Sequence, residues 1–151
     1  MFGTDRKINV EIRLSGPEIE QIKSAMLRIN SELRPEMPSQ VRNAVKKTYI
    51  VVLQLTEQNT HSLSDEKSIL WQILESLLHL TDYIQASPQT EAIVVLAIEV
   101  KHLASLLKDL INGAYSQELK FIGQEAKFVE HLESVIAHTS RIIDSSRSMA
   151  A

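Results

Sequence analysis

The chain has 151 residues, 44% of them hydrophobic, and a formal net charge of −3, enough to bury one substantial core in a single domain spanning 1–151. It has no cysteine, which excludes disulfides, thiol nucleophiles and thiolate metal sites together. Four glycines and four prolines are too few for a loop-rich or all-β fold, and they sit where helices should begin or end.

Charge is uneven along the chain. Residues 1–50 carry nine Lys or Arg against six Asp or Glu, a net of +3, whereas residues 51–151 carry seven against thirteen, a net of −6. The basic half permits an anionic partner at the N-terminal end, although unevenly charged solvated surface explains the same numbers. The opening Met-Phe-Gly-Thr-Asp-Arg-Lys has no apolar run of signal-peptide length, so the expected location is cytoplasmic.

In chain order, Lys7 to Leu14 alternate strictly, with Ile8, Val10, Ile12 and Leu14 on one side and Lys7, Asn9, Glu11 and Arg13 on the other. That period of two predicts a half-buried strand. Ser15-Gly16-Pro17 is a helix start, with Glu18 and Glu20 suited to the positive end of the helix dipole. The helix should run from about Pro17 to Leu33, with Ile19, Ile22, Met26, Ile29 and Leu33 on one stripe.

The two prolines of Arg34 to Pro38 mark a connection, and Ser39 is the expected N-cap of a second helix with Val41, Val45, Val52 and Leu55 on one face. Its centre, Thr48 to Thr56, is rich in β-branched residues and competes as a strand. Glu57 to Leu63 is polar and reads as a loop. Ser64, followed by Asp65 and Glu66, is the expected cap of a third helix bearing Leu70, Ile73, Leu77, Leu80 and Ile84.

Glu91 to Ile111 is the expected central helix. Ile93, Leu96, Val100, Leu103, Leu107 and Leu110 form its stripe, and Ala92 to Ile98 is apolar all round. Seven apolar residues fall far short of the roughly 20 needed to cross a bilayer, so burial in protein is expected and no membrane is. Ser87-Pro88 should open this helix and Asn112-Gly113 close it with a left-handed residue. A fifth helix from about Ser116 to Ile143 carries the pairs Phe121-Ile122, Phe128-Val129, Val135-Ile136 and Ile142-Ile143, a seam broad enough to leave an uncovered interface. The tail from Asp144 to Ala151 should fray.

These elements predict an all-α antiparallel bundle of about five helices with one short N-terminal β-strand. A subdivision into a strand with two helices over 1–56 and a three-helix bundle over 64–145 is compatible with the same pattern.

A lone strand must find a partner for its backbone groups, either the same strand of a second molecule or its own bundle. The order strand, helix, turn, helix over about residues 7–50, with NVEIRLSGPE and SQVRNAVKKTY as its landmarks, resembles the ribbon-helix-helix DNA-binding family. That resemblance implies two strands paired across a dimer axis and laid in the major groove. Lys7, Asn9, Glu11 and Arg13 would then form the ribbon's outer face, with Asn9 suited to adenine and Arg13 to guanine. Glu11 has only cytosine's amino group to accept from and is repelled by phosphate. Ser39 and the amides after it would hold a phosphate.

Glu99 and His102 have the Glu-x-x-His spacing of di-iron bundles, with Glu75, His79, His131 and His138 as further candidate ligands, but two such motifs are needed and one is present. Phosphotransfer on a bundle histidine lacks its usual following Lys-Gly at His79 and His131, and His102 is followed by Leu103, Ala104 and Ser105. No glycine-rich phosphate loop or hydrolase motif is present, so catalytic residues, cofactor and metal are all expected to be none. Trp71, Tyr49, Tyr83 and Tyr115 read as core or border residues. The expected function is a non-enzymatic interaction or regulatory protein that self-associates and binds a protein partner. The alternatives are the DNA-binding regulator and a helical-bundle metalloprotein.

Overall fold

Alternation at the start of the chain produces strand β1 (Glu11–Arg13), in which Ile12 is buried between exposed Glu11 and Arg13 and is followed by buried Leu14. The structure, a computed structural model, describes residues 10–114 and 123–150, so Lys7, Ile8 and Asn9 of the expected strand lie outside the described residues. The partner of β1 comes from the same chain. Strand β2 (Thr60–Ser62) pairs with it antiparallel, setting Glu11 opposite Ser62, Ile12 opposite His61 and Arg13 opposite Thr60. The Leu14 amide donates to the Asn59 carbonyl at 3.2 Å and the Leu63 amide to the Val10 carbonyl at 2.7 Å, extending the ribbon at both ends. The segment Glu57 to Leu63 is therefore not simply a loop. Polar Thr60 and Ser62 flank an inward His61, and Leu63 is buried two residues on.

Helix α1 (Gly16–Ser31) starts after Ser15, where its sequence predicts a start, and a capping box that the sequence reading did not specify holds its first turn. The Glu18 amide donates to Ser15 Oγ at 3.2 Å, and the Ser15 amide donates to Glu18 Oε1 at 2.9 Å. Ser15→Ala removes one of these bonds and should cost about 1 kcal/mol in urea unfolding, with an unchanged denaturant slope. The α1 stripe is buried at Ile19, Ile22, Met26 and Ile29.

Helix α2 (Ser39–Leu53) continues into a 3-10 turn, Gln54–Glu57, so Thr48 to Thr56 is helical rather than strand. Thr48, buried at its centre, meets its polar requirement locally by donating its hydroxyl to the Ala44 carbonyl at 2.7 Å. The cap position is Pro38, whose carbonyl accepts from the Val41 and Arg42 amides. Ser39 is the first helical residue and makes no capping bond, a correction to its expected role.

Helix α3 (Ile69–Ala86) begins one turn later than Ser64 suggests, because Ser68 directly precedes the apolar run and its Oγ accepts from the Trp71 amide at 3.3 Å. Ser64 instead accepts from the Val10 amide at 3.0 Å and donates to Glu125 Oε2 at 3.3 Å, tying the ribbon to the last helix. Helix α4 (Glu91–Ala114) starts after Thr90, whose Oγ1 accepts from the Ile93 amide. It runs through Gly113 without a left-handed residue. Among the described residues the positive φ belongs to Gly123, at 87°, just before helix α5 (Gln124–Ala150). Ser116 to Ile122 lie outside the described residues, and the expected fraying tail is helical through Ala150.

The result is an all-α bundle of five helices with a two-stranded antiparallel ribbon. Round the bundle, α1 packs on α2, α2 on α3, α3 on α5, α5 on α4 and α4 back on α1. One hydrophobic cluster runs from Ile12 on β1 to Ile142 on α5. No residue from Ala92 to Ile98 is exposed, as an all-round apolar segment requires. The interior is shared, however: ten of the 18 residues of α3 are buried against nine of the 24 of α4, so α4 alone is not the centre. Among the described residues no helix is long and apolar enough to cross a membrane.

Candidate functional site

The bundle covers its own seams with few exceptions, and the exceptions mark where a partner could sit. On α5, Phe128, Leu132, Val135, Ile142 and Ile143 are buried, while Val129 and Ile136 are half-buried against the core. Its seam is thus covered by α3 and α4 over the described residues, against the expectation of a surplus there. Among the described residues, the large apolar side chains left in solvent are Leu27 on α1, 51% exposed, and Ile50 and Leu53 on α2, 59% and 45% exposed. Ile50 and Leu53 are three apart and so neighbours on one helix face.

The same face of α2 is charged. Arg42, Lys46 and Lys47 are the ionisable residues of α2 apart from Tyr49, with no acidic residue among its 15. Lys46 and Lys47 are exposed, whereas Arg42 turns its guanidinium back to donate to the Met37 carbonyl at 3.1 Å. Glu57, exposed in the 3-10 turn, supplies the acid at the far end. The apolar run at the centre of this segment hid the distinction in sequence: Tyr49 to Leu53 are all apolar, and packing on α1 and α3 settles that Val51 goes inward with Val52 and Leu55, and Ile50 and Leu53 outward.

The described residues singled out for DNA come from β1 and from the start of α2. Lys7 and Asn9 lie outside the described residues, Glu11 and Arg13 occupy the exposed side of β1, and Ser39 opens α2. The whole of α1, about 24 Å long at 1.5 Å per residue, separates Arg13 from Ser39 in the chain.

Two of the candidate metal ligands, Glu99 and His102, meet. Glu99 meets His102 Nδ1 at 3.8 Å and Arg28 Nε at 3.7 Å, so its carboxylate bridges α4 to α1 through a cation. Glu75 and His79 are exposed on α3, His131 stands edge-on to Trp71 at 6.1 Å, and His138 Nδ1 bonds Gln85 Nε2 at 2.9 Å. Among the described residues no group of three His, Asp or Glu side chains could hold a metal ion.

Trp71 is a core residue. It is 4% exposed, donates Nε1–H to the Leu63 carbonyl at 2.6 Å and meets Phe128 edge-on at 5.2 Å. His61 is the buried group that sequence reading passed over. It is 1% exposed, and neither ring nitrogen has a hydrogen-bond partner. Burial holds its pKa below the ordinary histidine value, against a smaller opposing pull from the Gln58 backbone that does not reach hydrogen-bonding geometry.

Compared with protein-family models, curated proteins and solved structures, the chain matches none.

Proposed function

We propose that this chain is a non-enzymatic interaction protein that self-associates and docks a protein partner, in a regulatory rather than catalytic role. The reading rests on one observation: five helices bury nearly all their large apolar residues mutually, yet Ile50 and Leu53 stay in water beside Lys46 and Lys47. Because each of these apolar side chains is about half exposed, it forgoes about half of the roughly 1.5–3 kcal/mol that full burial contributes, which a partner surface recovers. Charge beside an apolar centre is the usual layout of a transient protein interface, with the charges at its rim.

The DNA-binding reading has less to draw on. One edge of β1 is occupied by β2 from the same chain, and Glu11 stands beside Arg13 on the face that would meet phosphate.

A photo-crosslinking residue at position 50 tests the proposal in the cells that make the protein. It should give a crosslinked product, to a second copy or another protein, that Leu53→Asp abolishes and that the same probe at exposed Glu75 on α3 does not give. Uncrosslinked monomer alone from position 50 would overturn the reading.

A further inference from the structure

Along the outward side of α2 and its 3-10 extension, Lys46, Ile50, Leu53 and Glu57 step by four, three and four and are all exposed. Lys46, Ile50 and Leu53 share one stripe of the α-helix, basic at its start and apolar after it, and the tighter 3-10 turn carries the acidic Glu57 just beyond its end. Lys46 lies four residues before Ile50, and Glu57 four residues after Leu53. A reversed copy of the stripe is therefore its own complement.

We propose that two copies of this chain pair through this stripe, α2 against α2 and antiparallel, about a two-fold axis between Ile50 and Leu53. This rests on the reading of the chain as self-associating and names the surface that does it. In the pairing, Ile50 of each copy meets Leu53 of the other, and Lys46 of each meets Glu57 of the other. A two-fold interface is built this way, with each contact made twice. Parallel pairing would instead set Lys46 on Lys46 and Glu57 on Glu57.

Two features of the isolated chain fit a second copy better than a different partner. Among the described residues neither Lys46 nor Glu57 has an ion-pair partner, so both are available for a crossed pair. The face also carries both signs, Lys46 and Lys47 at one end and Glu57 at the other, whereas a purely acidic partner would leave Glu57 opposed. Two apolar residues are too small an anchor for a membrane surface, which takes a broad apolar face together with several basic residues. A single helix-on-helix contact falls short of the roughly 800 Å² per partner of a standard stable interface, so the dimer is weak and concentration-dependent.

The test is sedimentation velocity on the full chain from about 10 µM to about 1 mM, the range in which weak interfaces assemble. The wild-type chain should pass from monomer to dimer. Lys46→Glu and Glu57→Lys, each alone, should weaken the dimer about tenfold or more, because each sets two like-charge contacts across the axis. Mixed in equal amounts they should form a heterodimer at wild-type strength, since both crossed pairs become attractive again. Restoration on mixing also shows that both variants are folded. A wild-type dimer that ignores these reversals, or variants that mixing does not restore, would overturn the α2 pairing while leaving self-association through another face. A wild-type monomer throughout the range would overturn the pairing and the self-association on which it rests, without touching the docking of a different protein.

Discussion

Trp71→Ala should cost the fold about 3–5 kcal/mol, a large share of the roughly 5–15 kcal/mol by which a domain of this size is stable. Trp71 fills the junction between the ribbon and the bundle. Its ring lies edge-on to Phe128 of α5, and its indole N–H satisfies the carbonyl of Leu63, the residue that follows β2. Alanine removes the buried ring and leaves that carbonyl without its donor at the same time. Trp71→Phe separates the two effects: most of the apolar area stays, the Leu63 carbonyl is left unsatisfied, and the expected loss is about 1–3 kcal/mol. Urea unfolding followed by circular dichroism measures both. Equal losses for the two variants would mean that the hydrogen bond, not the packing, carries the site, and a loss below about 1 kcal/mol for alanine would remove Trp71 from the core's main supports.

The same junction separates what the residue pattern made legible from what it did not. Period alone placed the buried stripes of α1 to α4: Ile22 and Met26, Val41 and Val45, Ile73 and Leu77, Leu96 and Val100 are all buried where their spacing put them. Helix ends were less legible, because several serines compete as caps. Ser64 has the acidic residues that follow a good cap, but its hydroxyl is engaged by Val10 and Glu125, and the helix waits for Ser68. Strand β2 was hidden because a three-residue strand shows hardly one period of alternation, and its demand came from β1, more than 40 residues away. The exposed pair on α2 was hidden for the opposite reason. Tyr49 to Leu53 is apolar on every side, so no stripe distinguishes Ile50 from Val51; the neighbours α1 and α3 make that choice. Stability was therefore written locally, and the candidate interface only in the packing of helices on one another.

His61 supplies the second large effect, and it appears as pH falls. Its ring is enclosed by the ribbon and the bundle, opposite Ile12, with no partner for either nitrogen. The titratable residues on the elements packed against β2 do not offer one: Glu11 and Arg13 are on the exposed side of β1, and Glu75, His79 and Asp82 are exposed on α3. Glu125, buried at the start of α5, is engaged by Ser64. Because burial lowers the folded-state pKa of His61, the unfolded chain takes up this proton first. Its effect is absent above about pH 6.5, the unfolded value. Stability is then lost as pH falls through 6.5, at up to about 1.4 kcal/mol per pH unit, until the folded-state pKa is reached. His61→Leu keeps the volume and removes the titration. Subtracting its unfolding free energy from the wild-type value at each pH isolates this one group from every other carboxylate and histidine. The difference should be flat above about pH 7 and turn against the wild type below about 6.5, with the amides of β1 and β2 the first to exchange with solvent. A difference flat through pH 5 would mean that the buried ring finds a partner when it is charged, and that the ribbon is held equally well in acid.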